Sequence, residues 1–273
     1  MPFMRHMISL RFAAAILIAA LLATGGLVFA HLLPAKHTPA SYPLRPPNVT
    51  RLPPVMLWAW ERPEDLSAIN PNTTGVAFLA RTVFLTGDTV SFRPRLQPLR
   101  LAPGTQVIAV VRIEANRGAS PSLSPKQLAE AAHAVAAAAQ LPSLAGLQID
   151  FDATSSQRDF YRALLVQVRG EIPAHLPLSI TALASWCNGD DWFKDLPIDE
   201  AVPMLFRMGP GAREISLHLK SGGDFRAPAC RQSLGVSTDE PLPNLPAGRR
   251  LYIFSPRAWT SGTAQLATQM VRP

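Results

Sequence analysis

The segment LAGLQIDFDA, residues 144–153, is apolar enough to be buried, yet it carries two carboxylates, Asp150 and Asp152, near its end. Side chains alternate along a strand, so Gln148, Asp150 and Asp152 share one face and Leu147, Ile149 and Phe151 the other. Acids two positions apart on one face lie roughly 7 Å from each other. Shielded from bulk water they do not both ionise freely, because each raises the free energy of the other's anion. One carboxyl can then keep its proton near neutral pH, which suits a general acid that protonates the leaving oxygen of a glycoside. The competing reading is that both acids bind arginines or cap loops. Interior acids are costly, and their position at a strand end favours chemistry.

A second carboxylate is needed for hydrolysis, and the stretch STDEP, residues 237–241, supplies Asp239 and Glu240. Asp239 shares a face with Gly235 and Ser237, the smaller side chains, and is the first choice for base or nucleophile; Glu240 could reach in from the following loop. Glu61 and Glu114 follow other strands and are weaker candidates, with a solvated rim as the plain alternative. Trp60, Trp186 and Trp259 fall on or just beyond strand ends, where flat rings could stack on the CH-rich faces of sugars or simply pack in the core. Trp58 lies mid-strand and reads as core. Arg112 and Arg207 are placed to neutralise acidic groups. His133 and His218 lie within helical patterns and His175 precedes a strand, so a Ser-His-Asp triad or a His-ligated zinc is not expected. Aspartates alone could hold Mg²⁺ or Ca²⁺, but no loop has the ligand spacing, and no metal or cofactor is expected.

These groups need a scaffold that collects strand ends. Eight β-rich runs recur: residues 55–60, 75–80, 106–114, 146–152, 178–186, 201–206, 233–239 and 250–255. Helical patterns lie between several of them. In SPKQLAEAAHAVAAAAQ, Ser124 can cap, Pro125 suits the first turn and Gln127 completes a capping box. SSQRDFYRALLVQVRG puts Phe160, Leu164, Leu165 and Val168 on one face. AREISLHLKSG ends at Gly222. Strands alternating with helices argue for a parallel sheet, and eight of them for a closed (β/α)₈ TIM-type barrel over residues 55–273 with its active groups at the C-terminal mouth. An open doubly wound sheet competes, but no Gly-rich phosphate loop follows the first strand. The barrel is expected to be partly degenerate. Residues 81–97 read as a hairpin turning at Thr86-Gly87-Asp88 where a helix should stand, and DEPLPNLPAGRR is too short and Pro-rich for another.

The chain has 273 residues and a formal charge of +7, mostly from scattered arginines with only four lysines. No basic run resembles a phosphate-tracking stripe, so nucleic acid is not an expected partner. Arg81, Arg93, Arg95 and Arg100 cluster and could attract an anionic polysaccharide or headgroup, although a solvated surface is the simpler reading. Arg5, His6 and Arg11 precede an uncharged apolar stretch over residues 12–30, which has the form of an export signal and approaches the length of a membrane anchor. Residues 1–30 are therefore read as a signal peptide or anchor with a cytoplasmic N-terminus. Residues 31–54 are a Pro-rich, extended tether. The destination is the periplasm or cell envelope, with a possible membrane tether; the oligomeric state is open. Cys187 and Cys230 could pair in such a compartment. The expected topology puts them at opposite ends of the barrel, which argues against a bridge.

The segment AGLQIDFD resembles the fourth-strand motif of family-18 glycosidases, the chitinase-like barrels, whose pattern is D-G-x-D-x-D-x-E. Gly146, Asp150 and Asp152 correspond to its glycine, last aspartate and catalytic glutamate, while Ala145 and Gln148 stand where the pattern has acids. MLFR, residues 204–207, sits where that family has Met-x-Tyr-Asp, so Phe206 and Arg207 lack the groups that assist an N-acetyl neighbour. Over the whole domain, VMLWAWERPEDL, GVAFLAR, VVRIE, LQIDFDA, LSITALASWC with GDDW, and GVSTDEP resemble a family of bacterial envelope proteins of unknown function. The resemblance implies a glycosidase-like barrel in an exported protein. The expectation is an exported glycoside hydrolase-like protein acting on an envelope or extracellular carbohydrate; a non-catalytic carbohydrate-binding or assembly barrel is the alternative.

Overall fold

Short runs of Val, Ile, Leu and Ala that are buried on both faces suit a parallel sheet covered on both sides. The computed structural model describes residues 52–115, 118–242 and 245–269, all within one compact unit spanning 45–273. The apolar N-terminal segment and all but the end of the Pro-rich tether lie outside the described residues. Strands run β1 Val55–Ala59, β2 Glu64–Leu66, β3 Thr74–Thr86, β4 Thr89–Pro94, β5 Leu99–Leu101, β6 Val107–Glu114, β7 Leu144–Asp150, β8 Leu178–Leu183, β9 Glu200–Met204, β10 Ser233–Ser237 and β11 Arg250–Phe254. Eight of these, β1, β3 and β6 to β11, pair in parallel, and the β1–β3 pairing closes them into a barrel. All eight coincide with the runs read from the sequence. β2 and β5 form a small separate parallel pair.

Only four α-helices accompany the barrel among the described residues: α1 Pro125–Ala136, α2 Arg158–Glu171, α3 Ala212–Lys220 and α4 Ser261–Gln269. A complete (β/α)₈ alternation is therefore absent. Hairpin, 3₁₀ turns and loops make the other connections. β3 runs straight on into the expected hairpin: it pairs antiparallel with β4, and Gly87 takes the left-handed turn conformation at φ +52°. Ser124 caps α1 by accepting from the Gln127 amide at 3.2 Å. The Gln127 side chain accepts instead from Leu123, and its amide group donates to the Gly87 and Thr89 carbonyls at 3.0 Å each. A residue expected to complete a cap thus also ties helix α1 to the hairpin. No helix of the described residues is long and apolar enough to cross a membrane.

Strand alternation divides the core in two. Leu147, Ile149 and Phe151 pack outward with the buried face of α2, Phe160, Leu164, Leu165 and Val168. Met56, Trp58, Val110, Val202 and Tyr252 fill the barrel's inside. At the base of that interior stands Glu200, fully buried, accepting from Ser179 Oγ at 2.9 Å, Tyr252 Oη at 2.8 Å and Arg250 Nη1 at 2.7 Å.

The cysteines correct the expectation: Cys187 and Cys230 form a disulfide, with Cα atoms 6.0 Å apart. β8 ends at Leu183, and after Ala184 and Ser185 at the mouth the chain leaves the barrel wall. Its descent is pinned along α2, with Arg158 pairing Asp190, Arg162 donating to the Lys194 carbonyl and Arg169 pairing Asp199. The segment after α3 rises to meet it, and the Ala227 amide donates to the Cys187 carbonyl at 3.0 Å. Two loops on the outer flank meet where a helix would normally stand. Because the bridge links positions 43 apart, its reduction is expected to lower the unfolding free energy by about 3–4 kcal/mol in a denaturant titration. An unchanged midpoint would contradict the bracing role.

Candidate functional site

The inward parity of the strands delivers a row of side chains to the C-terminal mouth, where a cavity of about 610 Å³ opens. Its floor is Trp58, fixed by an indole N–H bond to Gln148 Oε1 at 2.8 Å and packed on Tyr252 with ring centroids 5.3 Å apart. Gly235 makes room for that ring: a Cβ there would lie 3.0 Å from Trp58. One wall is aromatic. Phe206 and Phe254 stack at 5.5 Å with planes 2° apart, and Trp60 meets Phe254 edge-on at 6.2 Å.

The other wall is an ion cluster built on β6 and β7, whose register sets Arg112 opposite Asp150. Arg112 Nη1 donates to Asp150 Oδ2 at 2.6 Å, its Nε donates to Glu114 Oε1 at 2.8 Å, and its Nη2 lies 3.7 Å from Asp152 Oδ2. Thr181 Oγ1 donates to the other Asp150 oxygen at 2.7 Å. Burial works against the Arg112 charge, but Asp150 and Glu114 outweigh it and hold the guanidinium above its ordinary pKa. Asp150 is enclosed and fully engaged.

Asp152 is different. Its side chain is 51 % accessible, and it lines the cavity. Its pKa is raised, first by loss of solvent around the carboxylate and then by the neighbouring Asp150 charge, with Glu114 adding and Arg112 opposing. The arginine pairing named as the competing reading thus holds for Asp150, while Asp152, just beyond the strand, has an increased affinity for its proton.

Asp239 and Glu240 are not brought to face them. β10 ends at Ser237, the chain turns, and Asp239 and Glu240 sit on the rim outside the cavity lining. Arg207 gathers both, its amide donating to Glu240 Oε1 at 2.9 Å and its Nη2 to Asp239 Oδ2 at 3.2 Å. The Ser237 hydroxyl, then Arg207, hold Asp239 below the usual carboxylate range. Arg207 itself lines the cavity and lies over the Phe254 ring at 5.2 Å.

Of the expected tryptophan platform only Trp60 lines the cavity. Trp186 is 2 % exposed and packs edge-on against Trp192 at 4.9 Å. Trp259 is equally buried and donates its indole N–H to the Trp58 carbonyl at 2.8 Å. Glu61 accepts from the Leu96 and Gln97 amides and organises the loop after β4. Phe206 and Phe254 take the places of Trp186 and Trp259. Inward parity would have found them, since each lies two residues beyond an inward-facing residue, Met204 and Tyr252.

Among the described residues no group of three His, Cys, Asp or Glu side chains is arranged to hold a metal ion. No curated protein and no solved structure matches the chain. Residues 103–202, which carry Arg112 and the three cavity carboxylates Glu114, Asp150 and Asp152, match a family model described as a domain of unknown function (DUF3142).

Proposed function

We propose that the barrel cleaves a glycosidic bond in a carbohydrate bound at its mouth, with Asp152 as general acid. The observation that carries this reading is Asp152 itself: a half-exposed carboxyl of raised proton affinity in an open cavity whose lining combines aromatic rings with acidic groups, Trp60 lying against Arg112 at 5.8 Å. Sugars present alternating CH-rich faces and hydroxyl edges, and such a mixed lining can meet both. Asp152 donates its proton to the leaving oxygen as the C1–O bond breaks, and a water oxygen forms the new bond to C1. Glu114, the cavity carboxylate that remains once Asp150 is tied to Arg112 and Thr181, takes the water's proton in place of Asp239 and Glu240, which stand outside the cavity lining. Asp150, held in place by Arg112 and Thr181, stands beside Asp152 and helps to raise its proton affinity.

Cleavage requires Asp152 protonated, so kcat/KM is expected to fall as pH rises through its raised pKa. That places the alkaline limb above where an unperturbed aspartate would put it. A pH profile of reducing-end release from envelope polysaccharides measures it; a rate that keeps rising with pH would remove Asp152 from the role. The protein acts outside the cytoplasm in this reading. The apolar segment at residues 12–30 supports export, and the Cys187–Cys230 bridge is of a kind that persists in oxidising compartments. A binding role without turnover is the second reading, favoured by the capture of Asp239 and Glu240 on the rim by Arg207. Saturable binding of a polysaccharide with no reducing ends released would select it.

A further inference from the structure

A second cavity, of about 300 Å³, lies beside the mouth and shares two lining residues with it, Ser185 and Ile215. Ala212 and Ile215 of α3 face the mouth, while Gly211, Glu214 and His218 line the second cavity, so the start of this helix forms the sill between the two. The far wall is Asn188 and Arg226. These two come from the loops that the disulfide joins: Asn188 follows Cys187, and the Ala227 amide next to Arg226 donates to the Cys187 carbonyl. Gly189, at φ +126°, lets the Arg226 guanidinium lie close, since a Cβ there would stand 3.2 Å from Arg226 Nη1. Among the described residues neither the Glu214 carboxylate nor the Arg226 guanidinium has a hydrogen-bond or ion-pair partner within the protein.

We propose that this cavity is a further sugar subsite, occupied by the continuation of the polymer whose cleaved bond lies at the mouth; the inference rests on the carbohydrate reading above. Continuity across Ser185 and Ile215 provides the path. One anionic and one cationic side chain with an amide supply donors and acceptors in both senses without a strong net charge, while the His218 ring is tied through Nε2 to the Asp224 carbonyl at 3.0 Å. That matches a hydroxyl-rich ring better than an ion, which would need one sign to dominate. The disulfide holds the far wall in place, so the extended chain finds its contacts already formed. The substrate class is thereby narrowed to a linear polysaccharide longer than the mouth alone accepts.

The test is calorimetric binding to the intact chain carrying Asp152→Asn, which suppresses cleavage. The probes are linear oligomers of glucose, N-acetylglucosamine, glucosamine and galacturonic acid, from disaccharide to hexasaccharide. In the series that binds, affinity is expected to rise about tenfold as the oligomer grows past the mouth, and adding Arg226→Ala should abolish most of that gain while leaving the disaccharide unaffected. Glu214→Gln, an exposed and nearly isosteric change, should reduce the same gain and guards against a folding defect in the first variant. Affinity independent of length, or a length gain that survives both substitutions, would overturn the subsite while leaving the mouth as a sugar site. Failure of every series to bind would overturn both.

Discussion

Asp152→Asn is expected to lower turnover roughly 10²–10⁴-fold while the fold stays intact. The loss is large because asparagine keeps the shape of the side chain and removes the proton that the leaving oxygen needs. Folding is expected to be insensitive for a reason visible in the geometry. The carboxylate is half exposed, and its closest cation, Arg112 Nη2, lies 3.7 Å away. Contacts of that kind contribute less than about 1 kcal/mol. The substitution also relieves repulsion from Asp150 and Glu114, so the thermal midpoint should stay level or rise slightly. Turnover within a few-fold of the unsubstituted protein, in a variant with an unchanged midpoint, would show that Asp152 is not the acid.

The largest stability effect belongs to the other end of the barrel. Arg250→Met is expected to destabilise the fold by about 3–5 kcal/mol, because it leaves the Glu200 carboxylate buried without its cation. Glu200 has no solvent exposure, and Ser179 and Tyr252 alone would have to satisfy it. Arg250 also donates from Nε to the Pro53 carbonyl at 3.0 Å, fixing the chain as it enters β1. In a domain of this size the change corresponds to a thermal midpoint lower by about 10 °C. Pairing it with Glu200→Gln should recover a good part of the loss, since the unpaired charge is then gone. Equal destabilisation in the single and double variants would mean that Arg250 acts through packing and its backbone contacts, those to Pro53 and Leu52 among them, rather than through Glu200.

The barrel strands were legible because each is a short run of aliphatic residues and every run is buried on both faces. The site was legible only as far as strand alternation lasts. Within β7 it placed Gln148 and Asp150 inside and Leu147 and Ile149 outside, and it carried on to Asp152 immediately beyond. It failed at Asp239 because β10 stops at Ser237 and the turn that follows points the carboxylate along the rim toward Arg207. It failed for Trp186 and Trp259 for the same reason: β8 ends at Leu183 and β11 at Phe254, so neither ring belongs to a strand. The disulfide was misjudged from a different cause. Assigning each cysteine to the nearest strand end presumes that connections run as helices, whereas the segments at 184–199 and 221–232 fold over the outer flank and meet there. Nothing in local periodicity reports such a long-range loop contact. The hairpin, by contrast, was readable from Thr86-Gly87-Asp88 alone, because a tight turn is decided by the residues within it.

Carbon-13 detection of the Asp152 carboxyl in the intact chain tests the proton-donor assignment most directly. Its titration midpoint is expected above the ordinary aspartate value of about 3.9, and to fall when Glu114→Gln removes one of the charges that raise it. A midpoint at or below that ordinary value, unmoved by Glu114→Gln, would contradict the assignment.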